Sequence, residues 1–120
     1  MVLQVKFGNL AFDCINIDVM VRFWGGFLGM DVTFRKDTWA DLEPLGAEGP
    51  ILSFQKVPEL KAGKNRLHLD IEVSDIQVAG EVVASLGASP LGDPKLGGEM
   101  DFRVWSDPEG NEFCLVKKHV

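Results

Sequence analysis

Two pairs of chemically capable side chains stand two residues apart in runs that otherwise alternate apolar and polar. In residues 66–73, Leu67, Leu69, Ile71 and Val73 alternate with Arg66, His68, Asp70 and Glu72. In residues 111–117, Glu112 and Cys114 share a parity. A strand turns side chains two apart to the same face, so His68 is predicted beside Asp70 and Glu112 beside Cys114. An imidazole next to a carboxylate can ligate a metal or move a proton; equally it can be a satisfied polar group in a half-exposed pocket. A thiol can be a soft ligand or a nucleophile. No basic residue is visibly set beside Cys114 to lower its pKa, and a buried structural thiol is the competing reading. Asp13 shares its parity with Asn9 and Ala11, opposite Leu10, Phe12 and Cys14, and is available to pair with Arg103 or with a cationic ligand. Arg103 and Trp105 alternate with Phe102 and Val104, which predicts the first two on the ligand-facing side of their strand.

The elements that position these groups occur twice. Laying residue 68 on residue 9, an offset of 59, puts Leu69, Ile71, Val73 and Asp75 on Leu10, Phe12, Cys14 and Asn16. The same offset puts Phe113 on Phe54 and Val116 on Val57. Each half also holds an amphipathic stretch closed by Leu-Gly, at Leu28–Gly29 and Leu86–Gly87. In the first, Met20, Phe23, Trp24, Phe27 and Leu28 form one helical stripe after an N-cap at Asn16 or Asp18. Gly25 and Gly26 weaken that helix unless it packs closely on a sheet. The second helix is expected over 75–86, with Ala79, Val82, Val83 and Leu86 as its stripe. Strands are predicted at 9–15, 30–36, 39–45, 50–57, 66–73, 100–106 and 111–117, with a weak one in 88–99. Asp107-Pro108-Glu109-Gly110-Asn111 supplies the turn chemistry of the last hairpin. The order is strand, helix and three strands, repeated: one α+β domain over 1–120, with modules at about 8–57 and 66–117 and a polar linker at 58–65. A duplicated half-domain tends to bring equivalent residues to face one another at a common cleft.

The totals exclude several classes. A net charge of −6 and a pI near 4.8 argue against nucleic acid and against anionic membrane surfaces as partners, and leave room for a cationic ligand. No run of about 18 apolar residues is present to span a bilayer, and residues 1–10 lack the pattern of a secretory leader. Cys14 and Cys114 lie in apolar runs rather than at disulfide-framework spacings, so both are expected as free thiols in a reducing cytoplasm.

With its duplicated βαβββ order, Phe23-Trp24 and Leu28-Gly29 in the first helix, the 66–75 run RLHLDIEVSD and the terminal DPEGNEFC of 107–114, the chain resembles the glyoxalase-like branch of the vicinal oxygen chelate superfamily. That group includes glyoxalase I, extradiol dioxygenases and bleomycin-binding resistance proteins. The resemblance implies a cleft-shaped, barrel-like mixed sheet with helices outside, and a homodimer. It also implies ligand positions on the first and last strand of each half, which fall here on Asn9, Gln55, His68 and Cys114. His68 matches the pattern, and Cys114 stands where a terminal Glu is expected. If a divalent metal (Zn, Ni, Mn or Fe) is bound, the set it implies is His68, Gln55 and Glu112, with His68 and Glu112 as the catalytic pair of a glyoxalase-type lyase or isomerase. The competing expectation is a bleomycin-resistance-type binder with a degenerate metal site, holding a small molecule among Asp13, Asp70, Arg103, Trp105 and Cys114.

Overall fold

Asn16 closes the free end of the first helix: its side chain accepts a hydrogen bond from the Val19 N–H at 3.1 Å. One of the four donors that a helix start leaves unmatched is thereby satisfied. The helix, α1, runs Ile17–Leu28 and stops at Gly29, whose φ of 66° is the left-handed conformation that glycine enters without strain. The structure, a computed structural model, describes residues 3–119. The predicted stripe is real, with Met20, Phe23 and Trp24 fully buried. Of the two helical glycines only Gly25 packs inward, where a Cβ would stand 3.0 Å from the Met30 carbonyl oxygen; Gly26 is exposed.

The chain divides into two compact units between Leu60 and Lys61. In the first, β1 (Asn9–Cys14), β2 (Val32–Lys36), β3 (Trp39–Pro44) and β4 (Ile51–Lys56) form a sheet of order β1-β4-β3-β2. The β1–β4 pair is parallel and the other two pairs are antiparallel. Phe12 stacks on Trp24 at 5.5 Å and on Phe54 at 5.8 Å, which ties α1 to the sheet through aromatic contact.

The second unit repeats the plan. Strands β5 (Leu69–Glu72), β6 (Ser89–Pro90), β7 (Met100–Ser106) and β8 (Glu112–Lys118) form a sheet of order β5-β8-β7-β6, and α2 (Ile76–Ser85) packs on it. Asp75 caps α2 by accepting from the Gln77 and Val78 amides at 2.9 and 3.1 Å. The fold is therefore α+β, two βαβββ modules in two four-stranded mixed sheets, neither of which closes into a barrel. No helix among the described residues is long and apolar enough to cross a membrane.

Three expectations change. The strand predicted over 66–73 spans only Leu69–Glu72, because its parallel ladder with β8 begins at Leu69 opposite Phe113. The loop before it turns on itself, with the Asn65 amide donating to the Leu67 carbonyl at 3.0 Å, and Leu67 is exposed. The repeat is also not in strict register. Leu10 pairs with Leu52, not with Phe54, whereas its counterpart Leu69 pairs with Phe113. A two-residue slip keeps every side chain on its face, so alternation alone does not reveal it. Finally, the buried positions of α2 are Ala79, Gly80 and Val83, while Val82 is exposed. Gly80 explains the rotation: a Cβ there would lie 2.9 Å from Cζ2 of Trp105, so the helix seats its bare glycine on the indole.

Candidate functional site

The face of the second sheet away from α2 collects the groups that the strand parity brings together. Asp70 on β5 lies opposite Cys114 on the parallel β8, and Glu112 is two residues earlier on the same strand. His68, immediately before β5, brings its Nδ1 to 3.1 Å from Asp70 Oδ1. Ligand atoms of His68, Asp70 and Cys114 lie within 4.8 Å of one another. His68 and Asp70 are exposed and Cys114 is half-buried.

The thiol in this group is held in its neutral form. Burial pushes the Cys114 pKa up, and the Asp70 charge, its acceptance of the thiol hydrogen and the Glu112 charge push it further; only Lys64 opposes them. Cys114 is thus a protonated thiol at neutral pH. Because Asp70 supplies two of the three largest causes, Asp70→Asn is expected to lower the pKa. Alkylation of Cys114 by iodoacetamide at fixed neutral pH should then accelerate roughly threefold to tenfold. Cys14 is buried and leaves the rate to Cys114 alone. An unchanged or slower rate in the variant would contradict this electrostatic assignment.

Glu112 does not join the His68 group. Lys64 Nζ donates to its Oε1, so the carboxylate is already paired. Gln55, from β4 of the first unit, is exposed and stands opposite Asp13 and Trp39 in its own sheet. A divalent site completed by carboxylate and amide oxygens needs those side chains free to converge. What His68 gathers instead is one carboxylate and a protonated thiol. Of the implied set, His68 and Glu112 stand in the second unit, paired with Asp70 and Lys64 respectively, and Gln55 belongs to the first unit.

Arg103 and Trp105 are not on this face. In the antiparallel β7–β8 pair, Trp105 lies opposite Phe113 and Arg103 opposite Leu115, and directly opposed residues share a face. Phe113 and Leu115 are core residues, and Trp105 carries Gly80 of α2. Phe102 and Val104, whose apolar character suggests the core side, are the pair on the Cys114 face; Val104 is the direct partner of Cys114. Helix burial of the large indole outweighs the apolar look of its neighbours. Arg103 donates through Nε to the Gly92 carbonyl at 2.9 Å and sets its guanidinium 5.3 Å from the Trp105 ring centre, the arrangement of a cation–π pair.

In the first unit, Asp13 is exposed on the face away from α1, as its parity predicts. The same face holds a relay that strand parity does not single out. Asn9 Nδ2 donates to Ser53 Oγ at 2.8 Å, Ser53 Oγ donates to Asp41 Oδ1 at 2.6 Å, and Trp39 Nε1 donates to the same oxygen at 2.7 Å. Ser53 is fully buried, and its hydroxyl is matched as donor and as acceptor. The signal in the sequence is a lone serine inside the apolar run 51–54, with Asp41 and Trp39 two apart on the strand beside it.

The comparisons with known proteins agree with the fold. A family model described as Glyoxalase-like domain matches residues 9–116. Among solved structures, a glyoxalase/bleomycin resistance protein/dioxygenase family enzyme from Burkholderia phytofirmans PsJN superposes with a TM-score of 0.78 at 16% identity, covering 95% of this chain and 99% of that one. A glyoxalase-related enzyme from Fulvimarina pelagi gives 0.76 at 15% identity, with 98% and 89% covered. Fosfomycin Resistance Protein FosX from Mesorhizobium loti gives 0.73 at 16% identity, with 100% and 96% covered. At these identities the likeness is one of fold. No functionally curated protein matches the sequence.

Proposed function

Because the chain belongs to the glyoxalase-like domain family of the vicinal oxygen chelate superfamily, we propose that it is a small-molecule-binding protein whose ligand is held by hydrogen bonds and charge, without a resident divalent metal. The observation that carries this reading is a half-buried thiol, Cys114, set opposite the Asp70 carboxylate and kept protonated by burial and by that charge, at the place where the family pattern sets a carboxylate, while the Glu112 carboxylate is paired with Lys64. The groups so arranged recognise rather than transform. Asp70 offers a charged acceptor, His68 a nitrogen of either role and Cys114 a weak donor. With a net charge of −6 and Asp13 exposed in the first unit, the favoured ligand is a cationic, donor-rich small molecule.

A homodimer is part of the reading. What supports it is β2, an edge strand exposed along its whole length and carrying Val32 and Phe34. The two free thiols favour a reducing, cytoplasmic setting. The test is calorimetric titration with a cationic glycopeptide, metal-free bleomycin, in the presence of EDTA. Saturable binding that Asp70→Asn weakens about tenfold is expected, the loss of one charge-assisted hydrogen bond. Binding that appears only when a divalent ion is supplied would overturn the proposal.

A further inference from the structure

The helix side of the second sheet carries a cavity of about 450 Å³, on the face opposite Asp70 and Cys114. Small-molecule sites fall at roughly 300–1,000 Å³. Ile76, Gly80 and Ala84 line it from α2, Trp105 and Arg103 from β7, and Leu96 from the segment between β6 and β7. Gly80 is seated on the Trp105 indole, and beside it Ala84 puts only a methyl group at the cavity wall, where a larger side chain would enter the space.

Three features give the cavity a chemistry. Trp105 is 4% exposed, and its buried indole Nε1 has no hydrogen-bond partner among the described residues. That nitrogen is closed to solvent, so what Trp105 offers the cavity is its ring rather than its donor. Arg103 spends only Nε, on the Gly92 carbonyl, so its two Nη groups make no hydrogen bond among the described residues. The guanidinium is nonetheless fixed in place over the indole, a fork oriented before any ligand arrives. Leu96, 70% exposed, leaves an apolar side chain bare at the cavity edge.

We propose that this cavity is a second ligand site, separate from the His68–Asp70–Cys114 face, and that it takes a monocarboxylate with a flat apolar body. The carboxylate meets the Nη fork of Arg103 in the bidentate geometry that planar anions share with guanidinium. The body packs against Trp105, Ile76 and Leu96. Glu81, also in the lining, repels a second carboxylate and restricts the class to monoacids.

The test uses the full chain, ¹⁵N-labelled, titrated with phenylacetate and with its neutral match phenylacetamide. Saturable shifts of the Trp105 indole N–H and of the Gly80 and Ala84 amides are expected with phenylacetate, and about tenfold weaker binding with phenylacetamide. Arg103→Gln should weaken phenylacetate about tenfold and bring the two probes level. Ala84→Leu, at an exposed helix position, should fill the cavity and abolish both titrations while the rest of the spectrum stays dispersed. Asp70→Asn should leave the phenylacetate titration unchanged, which separates this site from the one on the other face. No saturable shift at the Trp105 indole, equal affinity for the two probes in the parent protein, or shifts centred on Val104 and Cys114 would each overturn the proposal.

Discussion

Asp107→Ala is expected to lower stability by about 3 kcal/mol, and the melting temperature by roughly 10 °C for a chain of this length. Asp107 is 3% exposed, and its carboxylate organises the β7–β8 turn. Oδ1 accepts from the Glu109 and Asn111 amides at 2.9 and 3.0 Å, and the Asn111 side-chain amide donates to both carboxylate oxygens, at 3.2 Å to Oδ1 and 3.0 Å to Oδ2. The backbone ring closes through Asp107 N–H to the Asn111 carbonyl at 2.8 Å and Gly110 N–H to the Asp107 carbonyl at 3.0 Å. Alanine would leave two backbone donors and one side-chain donor unmatched in a place with little water. The penalty of desolvated, unpaired donors is what sets the size of the effect. Asp107→Asn keeps one acceptor and turns an N–H toward a donor, so it should fall between the parent and the alanine variant. Urea titration of the three proteins checks the order; an alanine variant within about 0.5 kcal/mol of the parent would refute it.

Gly80→Val is expected to cost about 3 kcal/mol for the opposite reason, an atom too many. The added Cβ would stand 2.9 Å from Cζ2 and 3.6 Å from Cη2 of an indole that is itself buried and cannot swing away. Gly80→Ala shares the clash but recovers up to about 1 kcal/mol of helix propensity, so its net cost should be smaller. A double-mutant cycle identifies the mechanism: in a Trp105→Phe background, which removes the part of the ring nearest Gly80, the penalty of either substitution should shrink by more than half. If the penalty persisted undiminished, the cost would come from the helix itself and not from its seat on Trp105.

Strand parity alone makes the shared face of Asp70, Glu112 and Cys114 legible in the sequence, because a period of two is insensitive to how a strand pairs, while His68 reaches Asp70 from the position just before β5. The same logic fails on β7. Phe102 and Val104 read as core by hydropathy, yet the indole of Trp105 and the gap at Gly80 decide which side α2 covers, and that fit lies between elements distant in sequence. The α2 stripe fails with it, since hydropathy places Val82 in the core and passes over Gly80. The two-residue difference in register between halves is invisible to alternation by construction. The Asn9–Ser53–Asp41 relay needs the β3–β4 pairing, which sets Asp41 beside Ser53 across strands rather than along one. Likewise the pairing of Glu112 with Lys64 spans 48 positions, and no local pattern announces it.

On the proposed reading, the His68–Asp70–Cys114 face binds its ligand without a resident divalent ion. The most direct test of that reading is metal analysis of protein purified without chelator, followed by titration of the parent and His68→Ala with Zn²⁺, Ni²⁺, Mn²⁺ and Fe²⁺. A content far below one ion per chain is expected, with titrations that do not distinguish the two proteins. Close to one ion per chain, lost in His68→Ala, would contradict it.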